Sequence, residues 1–129
     1  MILVDTSIWI DYLRGMESAL PLMTLIDSNS ICTNDLILAE LLPSLKVRKE
    51  TELVRLLESV ERYSIRIDWK ELITMQSYNI KNGINKVGIP DLIIAQSAVQ
   101  NDLKLYSKDK HFSLMKKHIG LKIYELNRE

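Results

Sequence analysis

The sequence predicts an α/β domain built on a mainly parallel sheet, and three observations carry that prediction. Short continuous apolar runs, Ile2-Leu3-Val4 and Ile31-Cys32-Thr33 among them, have the character of strands covered on both faces. Between the strand runs lie segments whose apolar residues recur with the helical period. Only residues 82–90, holding Asn82, Gly83, Asn85, Gly88 and Pro90, read as a long loop, so strand and helix signals alternate along the chain, as right-handed βαβ crossovers require.

In chain order, the first strand stops at Asp5-Thr6-Ser7. Ser7 is a good N-cap, and behind it Ile8, Trp9, Tyr12 and Leu13 share one helical face until Gly15 supplies a stop. Ser18 is expected to cap a second helix carrying Leu22, Met23, Leu25 and Ile26, which the turn cluster Asp27-Ser28-Asn29-Ser30 ends. After the second strand, Asn34 caps a helix whose Ile37, Leu38, Leu41 and Leu42 pack inward; Glu40 interrupts that apolar stretch, and Pro43 kinks or ends it. A charged amphipathic helix with Leu53, Val54, Leu56, Leu57 and Val60 leads into Ser64-Ile65-Arg66-Ile67, whose alternation predicts a half-exposed strand. Trp69, Leu72, Ile73, Gln76 and Ile80 mark a further helix. Beyond the loop, Asp91 opens a helix running to about Asn101. Leu103 to Tyr106 is predicted as a strand, Lys108 to Lys117 as a short helix and Leu121 to Leu126 as a closing strand.

A chain of 129 residues buries roughly two-thirds of its unfolded surface without cross-links, so residues 1–129 are expected to form one domain. Its 47% hydrophobic and 26% charged residues exclude the low-apolar composition of disorder. A single cysteine, Cys32, excludes an intramolecular disulfide, and without spaced cysteines or histidines there is no zinc pattern. Met-Ile-Leu-Val-Asp lacks the basic leader and apolar run of a signal peptide, and the apolar runs stop well short of the ~18 residues of a membrane span. A cytoplasmic protein is the expectation. Seventeen basic residues balance seventeen acidic ones, so bulk charge says nothing about a nucleic-acid partner. The distribution says more: Lys104 to Lys122 holds six lysines and one acid, Asp109, while acids are in excess elsewhere.

Sites in open parallel sheets form outside the carboxyl ends of strands, where the following helices begin. Asp5 follows the first strand, Asp109 nearly follows a later one, Asp91 lies in a first helical turn, and Glu40 sits about one and a half turns into its helix. All four are therefore expected at one edge. Singly, an Asp after a strand is most often a turn or cap residue. Glu40, set within Leu-Ala-Glu-Leu-Leu, is either a solvated helix edge or a carboxylate whose partial burial needs a cation or hydrogen bonds. Together the four repel one another unless divalent cations hold them. Oxygen-only ligands favour Mg²⁺ or Mn²⁺, ions that clamp a phosphate and acidify bound water. The implied reaction is phosphodiester hydrolysis.

Leu3-Val4-Asp5-Thr6-Ser7, Leu-Ala-Glu40-Leu-Leu, Pro90-Asp91-Leu-Ile-Ile-Ala95 and Ser107-Lys-Asp109-Lys-His-Phe112 together resemble the four signatures of a PIN domain, in order and across essentially the whole chain. The likeness is greatest to the VapC-type toxin ribonucleases of bacterial toxin–antitoxin pairs. That resemblance implies a three-layer α/β/α fold, a homodimer, Mg²⁺- or Mn²⁺-dependent endonucleolytic cleavage of RNA, and inhibition by a small VapB-like antitoxin. It also implies that Asp5, Glu40, Asp91 and Asp109 are the catalytic acids, with Asp5, Asp91 and Asp109 as metal ligands. Thr6 or Ser7 supplies a hydroxyl supporting the first carboxylate, and Ser107 stands where many relatives carry threonine. The resemblance assigns nothing to Lys108 and Lys110.

Around the quartet, the lysines of 104–122 with Lys46, Arg48 and Lys49 are either an RNA path or solvated surface. His111 invites an acid–base role, but activated water needs no histidine, so it is read as structural. Asp11, Asp35, Asp68 and Asp102 fit helix faces, caps or turns; Trp9, Tyr12 and Leu13 are read as core. Leu53, Leu56 and Leu57 exceed what one small core requires and offer a face to a dimer or antitoxin. Three other functions compete: a DNA-directed nuclease, a catalytically silent scaffold of the same fold, and a Mg²⁺-binding receiver module. A receiver needs paired acids near the first strand and a phosphate-accepting Asp after a central one, and leaves Glu40 without a part.

Overall fold

The structure, a computed structural model, describes residues 1–125. β1 (Ile2–Val4) is flanked on both sides, which is why it is wholly apolar: Ile2 faces Ile31 of β2 (Ile31–Thr33) and Lys104 of β4 (Lys104–Tyr106). β3 (Glu61–Arg62) and β5 (Lys122–Ile123) are the edges, and their charged residues suit strands with one open side. Every pairing is parallel, in the order β3-β2-β1-β4-β5. The chain builds outward from β1 to β3, then crosses back to lay β4 on the other side of β1. Strand order reverses between β1 and β4, and such a reversal opens a crevice at the carboxyl ends of the two strands.

Helices flank this sheet: α1 (Thr6–Leu13), α2 (Leu20–Asp27), α3 (Asp35–Val47), α4 (Thr51–Ser59), α5 (Trp69–Lys81), α6 (Ile89–Gln100) and α7 (Lys110–Ile119). α3 packs on α4 and α1, while α6 packs on α5 and α7. Leu92 to Ala98 of α6 are buried without a break, polar Gln96 and Ser97 included, so the middle of this helix is covered on every side. Leu3, Val4, Ile8, Trp9, Ile94, Leu105 and Phe112 belong to the fully covered core. The α/β expectation with a parallel sheet holds.

Several local expectations change. The third strand is Glu61–Arg62, not 64–67: the ladder on β2 ends where Tyr63 N donates to Thr33 O, and β2 itself stops at Thr33, so Ser64 to Ile67 have no strand left to pair with. Ile65 packs on the core while Ile67 is exposed, which produces the alternating pattern without a sheet. Asp5, not Ser7, is the cap residue of α1, and Ser18 lies in a 3₁₀ turn (Glu17–Ala19) before α2. Pro43 neither ends nor interrupts α3, since the carbonyl it deprives of a donor is that of exposed Ala39. Asn34 caps α3 as expected, its Oδ1 accepting from Ile37 N at 2.9 Å. Leu57 is fully buried in the core, while Leu53 and half-buried Leu56 also line an open cleft with Tyr12 and Leu13. The closing strand covers Lys122 and Ile123; Leu126, predicted to end it, lies outside the described residues.

Candidate metal centre

Asp5 leaves β1 at the reversal point, its backbone N–H donating to Tyr106 O of β4 at 2.9 Å. As the residue before α1 its carboxylate is placed to cap that helix, yet it makes no such bond. Oδ2 instead accepts from Ser107 Oγ at 2.7 Å and from Ser7 Oγ at 3.1 Å, which holds the carboxylate, only 6% exposed, toward the crevice. Ser107 follows β4, and its hydroxyl also accepts from Asp109 N at 3.1 Å. One hydroxyl thus ties the first and fourth acids of the quartet together. Thr6 serves a different acid from the one expected: its Oγ1 donates to Glu40 Oε1 at 3.0 Å, drawing the α3 carboxylate over α1. Ser7 and Ser107, not Thr6, reach Asp5.

Asp109 is the cap of α7, its Oδ1 accepting from His111 N at 2.9 Å. Asp91 lies in the first turn of α6, where the helix dipole favours a negative charge. Its surroundings oppose one. Partial burial, and after it the charges of Asp109, Asp5 and Glu40, push the Asp91 carboxyl up to about 6, with His111 pulling slightly the other way. Acids from three different helix starts and from α3 therefore act on one carboxyl, with Glu40 on the exposed side. Oxygen atoms of Asp91 and Asp109 and a ring nitrogen of His111 lie within 4.8 Å of one another, half-buried and reachable from solvent.

These donors fit a divalent cation. Hard carboxylate oxygens crowd together, and among the described residues His111 is the one group that lowers Asp91 while three acids raise it, a balance that a divalent cation corrects.

Beside the quartet stands an acid that the sequence pattern leaves undistinguished. Asp11 is 2% exposed, accepts from Lys108 Nζ at 2.8 Å and from Ser18 Oγ at 2.6 Å, and these bonds hold its carboxyl below the usual range. A signal for it exists: Asp11 is three residues beyond Ile8, on the face of α1 that the apolar period turns inward. The same clamp accounts for Lys108. Lys116 pairs with Glu125 at 3.5 Å and Lys122 with Asp102 at 2.6 Å, so half of the six lysines between 104 and 122 already serve acids of this chain. Asp35 pairs with Arg62 at the exposed surface, and Asp68 caps α5.

Three comparisons bear on this geometry. No curated protein sequence matches the chain at a significant level. Solved structures of similar fold include VapBC2 from Rickettsia felis bound to a DNA fragment from their promoter (19% identity, 96% of this chain and 98% of that one covered, TM-score 0.70) and FitAcB from Neisseria gonorrhoeae (18%, 97% and 97%, 0.67). A third is DNA-bound VapBC from Salmonella typhimurium (16%, 95% and 96%, 0.70). At these identities the likeness is one of fold, and it extends over nearly the full length of both chains. The sequence profile of the PIN domain matches residues 2–117, from the first strand through most of α7 and so across every acid of the crevice. The chain belongs to the PIN-domain family, a family of nucleases.

Proposed function

We propose that this protein is a divalent-metal-dependent endoribonuclease that acts as the toxin of a toxin–antitoxin pair, with residues 1–129 as one PIN-like unit. The observation that carries the reading is the convergence of acids at one sheet edge: oxygens of Asp91 and Asp109 lie within 4.8 Å of each other and of a His111 ring nitrogen, and Asp91, partly buried, is raised by burial and by Asp109, Asp5 and Glu40, a state that a bound cation relieves without a proton. Asp5, Asp91 and Asp109 hold the ion, Mg²⁺ or Mn²⁺, and Glu40 completes the quartet at the substrate side. A cation in this centre supplies charge neutralisation for a phosphodiester and acidifies water for attack on phosphorus. The chain's own part is placement. Ser7 and Ser107 fix Asp5, Ser107 fixes Asp109 through its backbone, and Thr6 fixes Glu40, so the acids are positioned before substrate arrives.

Support for the toxin role comes from the similar folds, which were solved as VapBC and FitAB assemblies and as a toxin-antitoxin complex from Klebsiella pneumoniae. The partners we assign are accordingly RNA as substrate, a small VapB-like antitoxin and a second copy of the chain, in the cytoplasm. The described helices include none long and apolar enough to cross a membrane. A homodimer has surface to use: Trp69, Ile73 and Ile80 of α5, with Ile89 of α6, line one groove and are 59, 68, 67 and 48% exposed.

The test is incubation of purified, antitoxin-free protein with total bacterial RNA in Mg²⁺, Mn²⁺ or EDTA, beside an Asp5→Asn/Asp91→Asn double variant, with sequencing of the new ends. Discrete cuts that need metal and are missing in the variant are expected. Folded protein that cuts no RNA in any condition overturns the ribonuclease reading in favour of a DNA substrate or a silent scaffold.

A further inference from the structure

Among the described residues His111 is the non-carboxylate donor of the acidic cluster, and its position is set by the same residue it neighbours. Its backbone N–H donates to Asp109 Oδ1, which pins the ring so that Nδ1 lies 3.3 Å from that oxygen. Nδ1 is shielded from solvent and has no hydrogen-bond partner among the described residues, although the ring as a whole is 30% exposed. A buried ring nitrogen left in this state costs free energy whichever tautomer is present: as an acceptor it faces a carboxylate lone pair, and as a donor it misses good geometry. A cation between the two groups removes the conflict. Adjacent ligands of a six-coordinate ion stand about 3 Å apart, close to the separation seen here.

We propose that His111 is a nitrogen ligand of the metal centre, making it a mixed carboxylate–imidazole site that selects Mn²⁺ over Mg²⁺. This rests on the metal-dependent reading given above and adds to it the identity of the ion. Mg²⁺ takes oxygen ligands and gives up water reluctantly, so an imidazole adds little to its binding. Mn²⁺ shares the carboxylate preference of Mg²⁺ but is larger, more polarisable and quicker to exchange water, so it tolerates a nitrogen donor that adds little to Mg²⁺. With Asp91 and Asp109, His111 offers three donors from the starts of two helices, α6 and α7, that pack on each other.

Pulsed electron paramagnetic resonance of Mn²⁺ bound to the tag-free protein reads the contact directly, through hyperfine coupling to ¹⁴N. The chain has two histidines, and His118 stacks on Tyr78 at 3.9 Å near the far end of α7, so the source of any coupling can be assigned. The coupling is expected in the wild type and in His118→Gln, and absent in His111→Gln. By calorimetry, His111→Gln should weaken Mn²⁺ at least roughly tenfold and Mg²⁺ by much less, lowering the Mn²⁺/Mg²⁺ preference. Mn²⁺ that binds the wild type, is lost in Asp91→Asn, and shows no nitrogen coupling overturns the ligand role alone and leaves His111 as an ion-pair partner of Asp109. Failure of the wild type to bind either ion overturns this inference and the metal-dependent reading together.

Discussion

Asp11 and Asp91 both leave bulk water, and the fold treats them in opposite ways. Asp11 meets Lys108 and Ser18 within 2.8 Å, and its carboxyl is held below the usual range. Asp91 meets Asp109, Asp5 and Glu40 and is pushed up to about 6. Burial opposes ionisation at both sites, so the difference lies in the sign of the neighbouring charge. A compensated acid is a structural tie. An uncompensated one, set among like charges in an open crevice, is a place prepared for a cation, and the contrast separates two aspartates that look alike in sequence.

The strongest way to break this comparison is to remove the charge at Asp91. Asp91→Asn should lower metal-dependent cleavage by more than the roughly 10–100-fold that loss of a supporting group costs. It should also stabilise the metal-free protein. Because the folded carboxyl titrates near 6, above its ordinary value, the protonated form is favoured by folding; stability from this group is present at low pH and is lost as pH rises through about 6. With partial solvation the penalty is about 1–3 kcal/mol at pH 8. Urea unfolding in EDTA should therefore show the variant more stable than wild type at pH 8 and equal to it near pH 4. Equal stability at both pH values sinks the claim that Asp91 is uncompensated.

Much of the acidic site is legible in the sequence. Asp5, Glu40, Asp91 and Asp109 fall at one edge because strand ends and helix starts in a parallel sheet share an edge by topology, and the apolar runs locate those ends. Glu40 stands out as a charge within an apolar helix. The hydroxyl assignments are less visible: Thr6 and Ser7 are adjacent, but on a helix start adjacent side chains diverge by about 100°, so one turns to Asp5 and the other to Glu40. A strand at 64–67 is the wrong reading because alternation reports burial, and burial of Ile65 needs no ladder. The Asp11–Lys108 tie spans 97 positions and joins α1 to the β4–α7 connection, a pairing that no local period encodes.

That tie gives the next test, and it is asymmetric. Lys108→Met leaves Asp11 buried with only Ser18 as partner and should cost about 1–3 kcal/mol. Asp11→Asn leaves a lysine that is already 53% exposed and free to turn to water, so its cost should be about 1 kcal/mol or less. The Asp11 contribution is present above the ordinary carboxyl range and is lost as pH falls through its lowered folded value, the reverse of Asp91. Denaturation of the two variants at pH 7 checks the order; an Asp11→Asn loss larger than that of Lys108→Met contradicts the assignment of Asp11 as the buried partner.

The smallest effect sharpens the comparison at the boundary between tie and site. Ser107 donates to Asp5 and accepts from the backbone of Asp109, so it stabilises the first charge and also sets the spacing between the two acids. Ser107→Ala frees Asp5 to follow its remaining donor, Ser7, and should weaken metal binding about tenfold at a cost of about 1 kcal/mol in metal-free stability. Metal binding raises the folded state's stability in proportion to the logarithm of the ratio of free metal to its dissociation constant, so the deficit is readable as a smaller metal-induced rise in unfolding midpoint, without any substrate. Ser107→Thr keeps the hydroxyl and should restore the rise. A threonine variant as weak as alanine shows that the space at 107, rather than the shared hydroxyl, sets the distance between the two acids.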